Sequence, residues 1–129
     1  MDIIKPNLKD FYESRSNRRA RWYGNFKLGS MAGNYTLSEL EAELDTLHLL
    51  YPKIVSKKMS IGKSIEGRDI WAIKVSDNVD INENVTVELE PLVLYTGLTH
   101  AREPLSMMNL IYFIRHLCEK YNINKLETD

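Results

Sequence analysis

Several things are scarce in this 129-residue chain, and each scarcity excludes something. There is one cysteine, Cys118. A single thiol forms no internal disulfide, so cysteine usage gives no information about redox compartment. No apolar run approaches the ~20 residues that a membrane-spanning helix needs. The first residues, MDIIKPNLKDFYES, lack the apolar segment of a signal peptide. Neither sign of charge dominates: 17 Lys and Arg against 18 Asp and Glu leave a net charge of −1. No global field therefore draws the chain to nucleic acid or to a membrane surface. Internal repeats and low-complexity segments are also missing. What remains is enough chain for one modest domain with a real core.

Residues 1–34 read as irregular and basic, an N-terminal extension or linker that ends in the turn-forming cluster GSMAGN. A helix is expected next. Thr36 followed three residues later by Glu39 is a capping-box pattern. Leu40, Leu44, Leu47 and Tyr51 then recur at helical spacing, with Glu41, Glu43 and Asp45 largely off that face, until Pro52. Two short strands follow, about 57–61 and 69–75, with GKSIEGR between them supplying glycines for a hairpin turn. Residues 76–90 are polar and turn-rich. The continuous apolar run PLVLY, 91–95, suits a strand buried on both faces. Pro104 fits the first turn of a helix, where its missing N–H costs nothing. That helix is expected to reach about Tyr121 and to be mostly buried, because Leu105, Met108, Ile111, Tyr112, Leu117 and Cys118 surround much of its girth.

Between that strand and that helix lies TGLTHAREPLS, 96–106. His100 and Glu103 are three residues apart, close enough on one side of a helical turn to share an ion. Imidazole and carboxylate are N and O donors suited to Zn²⁺. Arg102 beside them offers a fixed fork for a carbonyl or carboxylate. A loop at the carboxyl end of a buried strand is also where α/β sheets bind ligands. The spacing alone suits a loop histidine followed by a helix-capping glutamate equally well, and leaves both readings open.

The motif resembles the first zinc-binding motif of the M14 zinc carboxypeptidases. The resemblance extends to GSMAGNYTLSEL and to YPKIVSKKMSIGKSIEGRDIWAIKVSDN, which contains IGKSIEGRDI, and it covers about Leu28 to Tyr121. It implies an α/β fold, a three-layer α/β/α arrangement with a mixed sheet, of which residues 35–129 form the N-terminal part of the catalytic domain. It implies one zinc ion, with His100 and Glu103 as two of its ligands, and Arg102 as a substrate-binding residue. Zinc and a catalytic glutamate would activate water to attack the C-terminal peptide bond of a peptide or protein substrate. It further implies a secreted or periplasmic location.

The third zinc ligand, the general base and the groups that grip the substrate carboxylate have no match in this chain and are expected beyond residue 129. No catalytic residue is therefore assigned within it. His116, thirteen residues past Glu103 and read as buried in the second helix, lies roughly 20 Å from it at 1.5 Å per residue and cannot close the site. In family members a later strand lies between the hairpin and the third strand, so PLVLY and the hairpin are not expected to be neighbours. Two other readings stand beside the peptidase: a truncated, inactive relative acting by binding, and a zinc amidase or peptidoglycan peptidase of the same fold.

The remaining features have simpler readings. His48 is a helix-surface histidine and Cys118 a small buried hydrophobe. Met107 and Met108 are packing residues. Arg15, Arg18, Arg19 and Arg21 form a solvated stretch, or by the resemblance a processing site of a pro-segment. Trp22 and Tyr23 beside them suit base stacking only weakly, so no nucleic-acid partner is expected. Asn34-Tyr-Thr36 and Asn84-Val-Thr86 match the glycosylation pattern.

Overall fold

The computed structural model describes residues 22–23, 26–77, 79 and 91–128, with side chains described at 26–77, 79 and 91–121. The arginine cluster, the Trp22 and Tyr23 side chains and the Asn84-Val-Thr86 site lie outside these. Strands β1 (Trp22–Tyr23) and β2 (Phe26–Lys27) pair antiparallel. A tight reversal follows, bridged at Gly29 and Gly33 and at Met31 and Asn34. Residues 26–34 are thus more ordered than an irregular linker, and Phe26 is a core residue.

Helix α1 (Leu37–Leu50) begins where the capping pattern places it. Thr36 Oγ1 accepts the Glu39 N–H at 3.3 Å, and Glu39 Oε2 accepts the Thr36 N–H at 2.8 Å. The same carboxylate accepts the Ser30 N–H at 3.0 Å, which ties the preceding reversal to the start of the helix. Burial alone would raise the Glu39 pKa, but these bonds from Thr36 and Ser30 outweigh it and hold the group below its ordinary value. At the far end the Tyr51 N–H closes on the Leu47 carbonyl at 3.0 Å, just before Pro52.

Strands β3 (Met59–Lys63) and β4 (Asp69–Ala72) form the expected hairpin, with an irregularity in register between Ser60 and Gly62. The second strand ends earlier than its alternation suggests. Beyond Ala72 the chain pairs instead with the segment after α1, through a Val55–Val75 bridge and a 2.9 Å bond from the Ser56 N–H to the Lys74 carbonyl. Trp71 anchors the hairpin on α1: its indole N–H donates to Glu41 Oε1 at 2.9 Å. Lys58 lies over its ring and pairs with Asp45 at 2.6 Å.

Helix α2 (Pro104–Thr128) runs past its expected end at Tyr121. It buries one side only. Met107, Met108, Ile111 and Cys118 join Phe26, Tyr35, Leu44, Leu47, Ile54 and Val55 in one core cluster, while Leu105, Tyr112 and Leu117 are exposed. The expectation of a mostly buried helix is corrected here, because among the described residues its partners cover a single stripe. Across that stripe the Tyr35 N–H donates to Met108 Sδ at 3.3 Å, and Arg115 pairs with Glu43 of α1. Glu43, expected off the apolar face, is therefore buried at 9% exposure.

PLVLY is also corrected. Residues 91–95 form no strand, and Leu92 to Tyr95 are 60–87% exposed. A strand is defined by its ladder, and among the described residues nothing pairs with this run, so its backbone has no partner to order it. Helices and small antiparallel sheets nonetheless make this an α/β assembly.

Candidate metal centre

The loop that carries the motif is fastened to the start of α2. Gly97 lies against that helix so closely that a Cβ would sit 2.9 Å from Leu110 Cδ1 and 3.1 Å from Met107 Cα. A larger residue here would make the Leu110 side chain shift and crowd the Met107 backbone. Leu98 then adopts φ 55°, in the left-handed region. That conformation costs a non-glycine residue on the order of 1 kcal/mol or more and persists only where the surroundings enforce it.

Ser106 supplies the enforcement. Its Oγ accepts the Leu98 N–H at 2.8 Å and donates to the Glu103 carbonyl at 2.7 Å. The Ser106 N–H reaches the same carbonyl at 3.1 Å, and the Glu103 N–H donates to the His100 carbonyl at 3.0 Å. His100 and Glu103 are thus the two ends of one closed turn at the mouth of α2, with Arg102 inside it. All three residues are exposed.

Among the described residues, none engages the His100 imidazole, the Arg102 guanidinium or the Glu103 carboxylate. A glutamate acting as an N-cap would spend its carboxylate on first-turn N–H groups, as Thr36 spends its hydroxyl on the Glu39 N–H. Glu103 has no such bond among the described residues. The helix N-terminus still favours its negative charge. One nitrogen and one oxygen donor at the ends of one turn, neither engaged by another described residue, fit the chemistry of a zinc site.

The other histidines go elsewhere. His48 Nδ1 is 2.8 Å from the Val55 carbonyl, a bond that ties α1 to the segment behind it. His116 is exposed rather than buried and stacks on Tyr112 with ring centroids 6.4 Å apart. It lies on the outer side of α2 because the inner stripe is taken by Met108, Ile111 and Cys118. Cys118 is fully buried, and that burial raises its thiol pKa and leaves it a packing residue. Among the described residues, no three His, Cys, Asp or Glu side chains come together as a metal cluster.

Sequence reasoning singled out the donors but not what holds them. Gly97 and Ser106 flank the motif within the same eleven residues. Their role depends on a loop folding back onto a helix, which residue type alone does not reveal.

The sequence model of the zinc carboxypeptidase family matches residues 40–129. This chain belongs to the zinc carboxypeptidase family. It is 36% identical over 92 residues to a zinc carboxypeptidase of Saccharothrix mutabilis subsp. capreolus, covering 71% of this chain and 20% of that protein. It is 34% identical over 67 residues to the human carboxypeptidase N catalytic chain, covering 52% and 14%. Pig carboxypeptidase A1 is 30% identical over 106 residues, covering 82% and 22%. The chain therefore spans about a fifth or less of the length of these zinc carboxypeptidases. Among its described residues, no helix is long and apolar enough to cross a membrane.

Proposed function

We propose that this chain carries part of the active site of a zinc-dependent metallocarboxypeptidase that hydrolyses C-terminal peptide bonds of peptides and proteins. The observation that supports it most is the turn from His100 to Glu103, which presents two zinc-type donors that no other described residue engages. In this reading His100 and Glu103 hold the ion through an imidazole nitrogen and a carboxylate oxygen. Arg102, at the centre of the turn, orients the substrate carbonyl and helps to polarise it. The bound ion supplies Lewis acidity and lowers the pKa of a coordinated water. Catalytic zinc uses three protein ligands; in this reading the third ligand and the general base are expected beyond residue 129. The three-layer α/β/α domain with a mixed sheet, starting near residue 35 after an N-terminal extension, and a secreted or periplasmic site of action belong to the same proposal.

A second reading rests on the absence of a third donor from the described residues. It makes the protein an inactive relative that acts by binding. A zinc amidase or peptidoglycan peptidase keeps the same two ligands and changes the substrate.

Zinc titration by calorimetry tests the ligand assignment. His100→Ala and Glu103→Ala should each abolish measurable zinc binding, while His116→Ala, on an exposed face, should leave both zinc binding and stability unchanged. Unaltered zinc affinity in the first two variants would refute the assignment.

A further inference from the structure

We propose that Ser106 is a positioning residue for the metal site: its hydroxyl sets the turn that places His100 and Glu103. The inference rests on the ligand assignment above, and it adds a residue that neither binds the ion nor touches substrate.

Ser106 Oγ makes two bonds at once. It accepts the Leu98 N–H at 2.8 Å, on the N-terminal side of His100, and donates to the Glu103 carbonyl at 2.7 Å. One hydroxyl thus spans the loop from before the first ligand to the second ligand itself. The Leu98 backbone it holds is the left-handed one, at φ 55°. Without that acceptor no other described residue bonds the Leu98 N–H, and the segment 98–100 can relax toward ordinary backbone angles. Gly97 lies close against α2 on the other side, where Met107 and Leu110 leave little room for a Cβ. The turn itself keeps two backbone bonds, from the Glu103 N–H to the His100 carbonyl and from the Ser106 N–H to the Glu103 carbonyl; the Ser106 hydroxyl adds the bond that ties Leu98, ahead of that turn, to α2.

Ligands held in one geometry bind a metal better than the same ligands on a free loop, because less ordering remains to be done on binding. Loss of an outer partner of a metal ligand typically lowers affinity about 10- to 100-fold. Ser106→Ala removes both bonds and should weaken zinc binding by about tenfold. Ser106→Thr keeps the hydroxyl and should restore the affinity.

The experiment is zinc titration by calorimetry on the wild type, Ser106→Ala, Ser106→Thr, His100→Ala and Glu103→Ala. The visible absorption of the Co²⁺-substituted forms is recorded beside it, because it reports ligand geometry. Weakened zinc binding and an altered Co²⁺ spectrum in Ser106→Ala, both recovered in Ser106→Thr, are expected. Unchanged affinity and spectrum in Ser106→Ala, even with a lower melting temperature, would make the hydroxyl a purely structural group and overturn the proposal. Failure of Thr to restore binding would overturn it as well. Zinc binding that survives His100→Ala and Glu103→Ala would instead overturn the ligand assignment, and this inference with it. If Ser106→Ala does not fold, Gly97→Ala decides: it crowds the loop against Met107 and Leu110 while leaving the hydroxyl in place. Zinc affinity should fall there too, and an unchanged value would refute the idea that loop position controls the site.

Discussion

Replacing Glu43 with alanine should cost this fold about 3 kcal/mol, the low end for a buried pair, because it strands a part-buried arginine. The Glu43 and Arg115 side chains are 10% and 17% exposed, and they pair across the contact between α1 and α2. A pair in water would be worth little, about 0–1 kcal/mol. Here neither partner regains full hydration when the other is removed. Arg115→Ala should therefore be as damaging as Glu43→Ala. Against a total stability of about 5–15 kcal/mol, either change leaves a marginal protein. The double variant Glu43→Leu with Arg115→Met should recover most of the loss, since it removes both charges and fills the space with apolar atoms. Urea unfolding followed by circular dichroism measures all four proteins, provided the slope with denaturant stays constant. A second readout comes from Tyr35. Its pKa is pushed up to about 12, first by burial and then by the nearby Glu43 carboxylate. Glu43→Gln should thus lower the Tyr35 value. Single variants within about 1 kcal/mol of wild type, with additive effects in the double, would mean that the pair behaves as a surface ion pair, and the reasoning would fail.

Other consequences are open to measurement. The Tyr35 hydroxyl donates to the Lys27 carbonyl at 2.8 Å, and its raised pKa favours the neutral phenol in the fold. Its contribution is fully present below pH 10.0 and is lost as pH rises from there through about 12. Ultraviolet difference titration should show late tyrosine ionisation that Tyr35→Phe reduces, the remainder coming from Tyr51, whose pKa burial also raises; early titration of all tyrosines would contradict the burial argument. Glu39 has the opposite sign. Its folded pKa is depressed, so its contribution is present above about pH 4.5 and fades as pH falls below that value. Thr36→Ala should destabilise by about 1 kcal/mol at neutral pH, and Glu39→Gln should flatten the acid limb of the stability curve. An unchanged acid limb would count against the shared cap.

Much of this architecture can be read locally. The capping box at Thr36 and Glu39, the stripe from Leu40 to Tyr51, the glycine-marked hairpin and the proline-started helix all depend on residues within a few positions of one another. The His100–Glu103 motif is legible for the same reason, since its two donors occupy one turn. Local pattern misjudged whatever depended on distant partners. PLVLY reads as a buried strand, but it needs a neighbouring backbone to pair with, and without one among the described residues it forms no strand and stays exposed. Glu43 looks like a solvent residue until Arg115, 72 positions away, comes to meet it. His116 reads as buried until the helix presents its other stripe to the core. Ser106 appears to be an ordinary first-turn serine until the loop closes on α2. The sequence by itself determined where helices and turns begin, which side chains recur on a face, and which donors stand side by side. Only the tertiary structure decided which charges are desolvated and which hydroxyl holds the motif, because those outcomes depend on which segments meet across space.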